Sequence, residues 1–178
     1  MYREILTFWF EELEPPQWWK KDENLDRMII ERFADIHRRA TLCELFTWRK
    51  VARGRLVEVI VLDQFSRNMF RGAPLSFAQD ALALALAQEA IATGADKSLN
   101  QAERSFLYMP FMHSESMQIH EVATRLFREN GNENSFDFEL KHKAIIERFG
   151  RYPHRNDILG RQSTAEEIEF LKQPGSGF

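Results

Sequence analysis

Apolar residues recur at helical spacing along almost the whole chain, and no stretch shows the two-residue alternation of a half-buried strand. Ile5, Phe8, Trp9 and Leu13 form a first stripe, which Pro15 and Pro16 stop. From about Glu23 a second stripe of Leu25, Ile29, Phe33, Ile36 and Ala40 runs opposite a charged face. Residues 42–49 predict a short helical turn ending near Trp48. Gly54 then precedes the most apolar helix, 56 to about 70, closed by Gly72 and Pro74. An alanine-rich helix is predicted over 74–93, with Phe77, Ala81, Leu84, Gln88 and Ile91 on one face and Gly94 as its terminating residue.

The second half continues in the same way. Residues 101–108 read as helix, Pro110 interrupts, and a new helix begins at Ser114 or Ser116 and runs to Glu129. Gly131 and Asn132 mark a turn, 138–149 a helix, and 150–160 an irregular loop around Pro153. Ser163 and Glu166 have the spacing of a capping box that would start a last helix, 164–172, ahead of a loose tail from Pro174 to Phe178. About eight helices joined by short loops predict an all-α fold, a single domain over 1–178 packed as antiparallel hairpins.

Composition sharpens this picture in four places. Fifteen Phe and four Trp against three Tyr supply the bulky wedges that packed helices need. Net charge of −3 gives no general footprint for nucleic acid, yet residues 141–161 hold six Lys or Arg against two acids. Such a local basic patch suits a small anion or an acidic partner; scattered solvated arginines are the alternative. Cys43 is the single cysteine, so an intrachain disulfide and a multi-cysteine zinc cluster are excluded, and it reads as a small buried side chain. The first residues are amphipathic and acidic, unlike a secretion signal, and no apolar run approaches the ~20 residues of a membrane span. The cytoplasm is the expected location.

Three stretches could carry chemistry. In the first, Asp63, Gln64, Arg67, Asn68 and Arg71 fall within one helical arc of about 140°, while Leu62, Phe65 and Met69 lie opposite. Upstream, the same arc holds Leu56, Val57, Ile60 and Val61, so a buried face turns polar along one helix. A core face opening into a groove explains both halves. Asp63 and Arg67 are also spaced as a structural ion pair, whereas Arg67 and Arg71, one turn apart, make a fork for carboxylate or phosphate. In the second, His113 and Glu115 follow Pro110 and would sit at a helix N-terminus, where free amides attract anions. His113 could be a general base or an ordinary hydrogen-bonding residue. In the third, His142 shares an inward stripe with Phe138, Ile145 and Phe149, and Arg151, His154, Arg155, Asn156 and Arg161 crowd one loop stiffened by Pro153. No HExxH, paired-histidine or acidic-cluster pattern calls for a metal, and no glycine-rich phosphate loop or nucleophile elbow appears, so neither metal nor cofactor is expected.

These strings carry a resemblance. Leu-Asp-Gln-Phe-Ser-Arg-Asn-Met-Phe-Arg-Gly (62–72), Met-Pro-Phe-Met-His-Ser-Glu (109–115) and Phe-Gly-Arg-Tyr-Pro-His-Arg-Asn-Asp-Ile-Leu-Gly-Arg-Gln-Ser-Thr (149–164) are similar to the DUF924 family. The opening Ile-Leu-Thr-Phe-Trp-Phe and Trp18 fit as well, so the likeness covers essentially the whole chain. It implies a tetratricopeptide-like all-helical array and no established activity. One departure stands at His120, where the family pattern carries Gln.

The functional expectation follows. Asp63, Gln64, Arg67, Asn68 and Arg71 meet His113, Glu115, His142 and the loop bearing Arg151, His154, Arg155 and Asn156 across one groove. That groove would bind a small anionic molecule. Were it an enzyme, His113 or His154 would transfer the proton, with Glu115 orienting His113. A helical-repeat adaptor for an acidic peptide segment and a purely structural lattice of buried ion pairs are the alternatives. Nothing in the sequence fixes an oligomeric state.

Overall fold

Helix α1 (Tyr2–Thr7) passes without a break into a π-turn at Phe8–Glu12, and the chain turns extended at Leu13 ahead of Pro15 and Pro16. The computed structural model describes residues 1–177, and among these every regular element is helical, in eight continuous helices and five short 3-10 turns. The end of the predicted tail, Phe178, lies outside the described residues.

Helix α2 (Glu23–Thr41) starts where the Asp22 side chain accepts from the amides of Asn24 and Leu25, and Arg38 and Arg39 complement its C-terminus. All five residues of its predicted stripe are buried, joined by Asp26 and His37 at the stripe's edge. Cys43 is exposed rather than buried: it caps α2 in the left-handed region, φ 58°, where its side chain turns to solvent.

The apolar helix runs as α3 (Ala52–Ile60), a π-turn (Val61–Phe65) and α4 (Ser66–Met69) without interruption. Gly54 lies inside its first turn instead of preceding it. A Cβ there would stand 2.1 Å from the Trp48 carbonyl oxygen, so the preceding 3-10 turn (Phe46–Lys50) can pack on α3 only over glycine. Helix α5 (Asp80–Ala92) is shorter than predicted, because Pro74 starts a separate 3-10 turn, Pro74–Ser76. Its buried face is Ala83, Ala87 and Ala90, whereas Ala81 and Gln88 are exposed. Small side chains let α5 lie close against α3, so alanine outcompetes leucine for the inner face.

Helix α6 (Gln101–Met112), capped by an Asn100–Glu103 capping box, contains Pro110 and does not stop at it. Proline in the last turn costs one backbone hydrogen bond but leaves the remaining turn intact. His113 therefore caps the C-terminus of α6, its amide donating to the Met109 carbonyl at 3.0 Å. Of the two expected starts, Ser114 and Ser116, the second is the one found: Ser116 precedes α7 (Met117–Asn130), so His113 does not sit at that N-terminus. Gly131, φ 74°, turns the chain into α8 (Glu133–Phe149), which begins five residues before the apolar pattern did because Asn132 caps it. Helix α9 (Ala165–Leu171) opens on a capping box of Thr164 and Glu167, one residue later than Ser163 and Glu166.

The main core joins α1, α2, α3 and α6 through interlocked aromatics: Phe8 on Phe33 (5.0 Å between centroids), Phe33 on Phe65 (5.3 Å) and Trp9 on Phe106 (5.5 Å). Helices α6, α7 and α8 pack in sequence as antiparallel neighbours over short connections. A small second cluster of Ile145, Ile146 and Tyr152 carries the 150–160 loop. No helix among the described residues is long and apolar enough to cross a membrane.

Candidate functional site

The π-turn sets the geometry of the first polar stretch. It adds a residue to one helical turn and so rotates everything downstream. Asp63 ends wholly buried, and Arg67 one turn later folds back on it, Nη1 standing 3.1 Å from Asp63 Oδ1 and 2.8 Å from its carbonyl. The same guanidinium grips Asp80 of α5 through both nitrogens, at 3.0 and 3.1 Å. Asn68 and Arg71 turn instead to Asp26 of α2, with Arg71 bidentate at 2.6 and 2.7 Å. Burial alone would raise the Asp26 carboxyl, but Arg71 and Asn68 outweigh it and hold the group below its ordinary range.

His113 arrives from the end of α6. Its Nδ1 lies 2.8 Å from Asp63 Oδ1, while Gln64 Nε2 donates to Asp63 Oδ2 at 2.6 Å. Burial pushes the Asp63 carboxyl up, yet the charges of Arg67 and His113 and these hydrogen bonds prevail and keep it far below the usual carboxylate range. Burial, and then Arg67, pull the His113 imidazole down against the attraction of Asp63, so it is neutral near pH 7. The residue that orients His113 is thus Asp63. Glu115 faces away: it accepts from Arg161 at 2.6 and 2.9 Å and from the Tyr152 amide at 2.7 Å.

The 150–160 loop divides its labour. Arg151 clamps Glu167 of α9 at 2.6 and 2.8 Å, and Asn156 donates to Ser163 and Glu167, so these two residues dock the last helix. Arg155 turns inward and is only 6% exposed. Its guanidinium lies between the rings of Phe77 (4.6 Å) and Tyr152 (4.7 Å), donates to the His113 carbonyl at 3.0 Å and reaches Asp80 at 3.2 Å. Its buried Nε has no hydrogen-bond partner among the described residues.

Eight of the twelve candidate positions line one cavity of about 650 Å³: Gln64, Arg67, Asn68, Arg71, His113, His142, His154 and Arg155. Asp63, Glu115, Arg151 and Asn156 do not; the first lies behind the wall and the other three hold the wall up. Three histidines share the cavity. His142 donates through Nδ1 to the Phe138 carbonyl at 2.7 Å and is pushed down by burial to about 3. His154 is pushed down to about 4 by burial and by Arg155. Lys20 and Lys21 also line the cavity, whereas no Asp or Glu among the described residues does.

Sequence reasoning missed the partners. Asp26 sits beside Leu25 at the edge of an apolar stripe, a position where a carboxylate must find a cation. Asp80 stands in the first turn of α5 and passes for a helix-dipole residue. Trp18, Trp19 and the two lysines reach the rim from the turn after Pro15, which carries no periodicity to read. The supposed loose tail also packs: Gly177 lines the cavity beside His154. Among the described residues no group of three or more His, Cys, Asp or Glu is arranged to hold a metal ion.

Residues 5–175 match the family described as bacterial protein of unknown function (DUF924), and the chain belongs to that family. It is also similar to the solved structure of a protein of unknown function from Agrobacterium tumefaciens, with 38% identity, 96% of each chain covered and a TM-score of 0.91. A search of curated proteins finds no match.

Proposed function

We propose that this member of the DUF924 family binds a small organic anion, a carboxylate or a phosphate, in the cavity between α4, α6, α8 and the 150–160 loop. One observation carries the reading: charge is sorted across the cavity wall. Lys20, Lys21, Arg67, Arg71 and Arg155 line it, while Asp26, Asp63 and Asp80, the carboxylate partners of the three arginines, do not; Asp80 faces a smaller adjoining hollow instead. A structural ion-pair lattice has no need of such sorting, nor of a hollow within the ~300–1,000 Å³ range of small-molecule sites. Arginine in front also suits bidentate recognition of planar anions. The exposed ring of Trp19 and that of Phe138 at the rim suit an apolar body on the same molecule.

The tetratricopeptide-like stacking implied by the family would also let an acidic peptide end enter the same mouth, and the exposed rim aromatics favour that second reading. The depressed histidines that line the cavity favour a small molecule. The exposed free thiol of Cys43 suits a reducing compartment such as the cytoplasm.

A thermal-shift screen of mono-, di- and tricarboxylates, phosphate esters and acidic peptides tests the proposal. Saturation at a hundred times Kd stabilises by about 2.7 kcal/mol, or about 5–10 °C for a chain of this size. Arg155→Ala should keep the helical circular dichroism spectrum and lose the shift. A panel in which no anion moves the melting temperature, or only peptides do, would overturn the small-anion reading.

A further inference from the structure

We propose that the cavity is catalytic and that Nε2 of His113 is its proton acceptor, taking a proton from the bound anion or from a water held against it. This rests on the anion-binding reading and adds a reaction to it. Asp63 is fully buried and held by Gln64 and Arg67, so its carboxylate is fixed in place and accepts the N–H of His113 Nδ1 at 2.8 Å. In a neutral imidazole that leaves the lone pair on Nε2. Nε2 meets no hydrogen-bonding partner among the described residues, and the ring lines the cavity. A histidine with a buried carboxylate on one nitrogen and an open cavity at the other has the geometry of a general base.

The proton source is narrowed by what surrounds the ring. No serine, threonine or cysteine side chain among the described residues hydrogen-bonds to His113, so the base does not activate a protein nucleophile. An O–H or C–H bond of the ligand, or an O–H bond of water, breaks instead. The proton passes to Nε2 and the electron pair stays on the atom it leaves. The imidazolium forms beside the Asp63 carboxylate, and the growing negative charge faces Arg67 and Arg155. Asp80 from α5, His142 from α8 and His154 from the 150–160 loop complete the charged and titratable surroundings of the ring. Asp63 is then a positioning residue, and His113 the catalytic one.

Alkylation by bromoacetate reads this arrangement directly. The Nε2 lone pair forms the new N–C bond, the C–Br bond breaks and bromide leaves. Mass spectrometry then shows which of the five histidines is modified. His113 should be carboxymethylated first, at a rate flat from pH 7 to 9, about tenfold faster than by neutral bromoacetamide, and slowed by inorganic phosphate. In Asp63→Asn the amide can donate to Nδ1 and move the proton to Nε2, a tautomer switch visible in ¹⁵N NMR of the ring. Labelling should fall at least about tenfold there. A wild-type protein in which neither reagent modifies His113 overturns the proposal, whether or not the variant folds. Equal labelling of His113 by both reagents would support the base and sink the anion site.

Discussion

Arg155 reaches Asp80 across 75 positions of sequence, Nη1 to Oδ2 at 3.2 Å, and finds there a carboxylate already gripped by Arg67. One carboxylate thus ties the 150–160 loop to both α4 and α5. Without it, Arg155 would keep only the His113 carbonyl for a charge that is almost wholly buried. Breaking a buried pair by removing one partner costs about 3–5 kcal/mol. Asp80→Asn should lower the unfolding free energy from urea titration by an amount in the lower part of that range, and the midpoint with it, since Arg67 retains Asp63. Inorganic phosphate should restore more stability to this variant than it adds to the wild type. A midpoint equal to wild type would show that Asp80 is not the tie.

The cavity histidines make stability depend on pH. His142 and His154 titrate near 3 and 4 in the fold, held down first by burial, and near 6.5 in the unfolded chain. Between these values the unfolded chain binds more protons, so stability is level above about pH 7 and falls as pH drops below about 6.5. Each histidine contributes a slope of about 1.4 kcal/mol per pH unit until it titrates in the fold. His37 and His113 are lowered too and act in the same direction. Urea midpoints at pH 7, 6 and 5 should decline for the wild type and decline less for His142→Asn. An identical slope in that variant would remove His142 from the account.

What the sequence revealed and what it hid divide along one physical line. Local rules sufficed for the helices, since proline, glycine and capping residues act within a turn or two. They placed α2 and the apolar stretch containing α3 closely. They failed where a neighbour decided the outcome: the inner face of α5, chosen by close approach to α3, and Pro110, carried within α6. The site shows the same split. Cationic and imidazole residues on the three strings could be read as one groove because they are dense in sequence. Their carboxylate partners Asp26 and Asp80 are single residues in other helices, and only the packed chain brings them near. Glu115 looked like the partner of His113 because it is two residues away, yet a helix C-terminus turns those side chains apart and a residue fifty positions back takes the role.

Gly54 offers a test of packing independent of the cavity. Its Cα faces the Trp48 carbonyl so closely that an added methyl must displace backbone on one side or the other. Overpacking of this kind costs about 1–3 kcal/mol, against the gain of up to ~1 kcal/mol that alanine brings to an unconstrained helix position. Gly54→Ala should therefore lower the melting temperature by several degrees despite its better helix propensity. A variant as stable as wild type would mean that the Phe46–Lys50 turn shifts freely against α3.

Tyr152 separates the support of the cavity from its lining. The hydroxyl donates to the Met112 carbonyl at 2.5 Å and lies 3.1 Å from His120 Nε2, while the ring carries Arg155 on its face and stands 5.7 Å from His142. Tyr152→Phe keeps the ring and deletes the hydrogen bond, leaving the last carbonyl of α6 short of a donor. That change should cost about 1–2 kcal/mol and leave anion-dependent stabilisation in place, because Arg155 keeps its stacking surface. Tyr152→Ala removes a fully buried ring and should cost about 3–5 kcal/mol, with the anion response lost as Arg155 swings free. The pair of variants distinguishes the two parts of the side chain. If Tyr152→Phe retains its melting temperature but no longer responds to anion, the hydroxyl contacts the ligand and the ring is only its carrier.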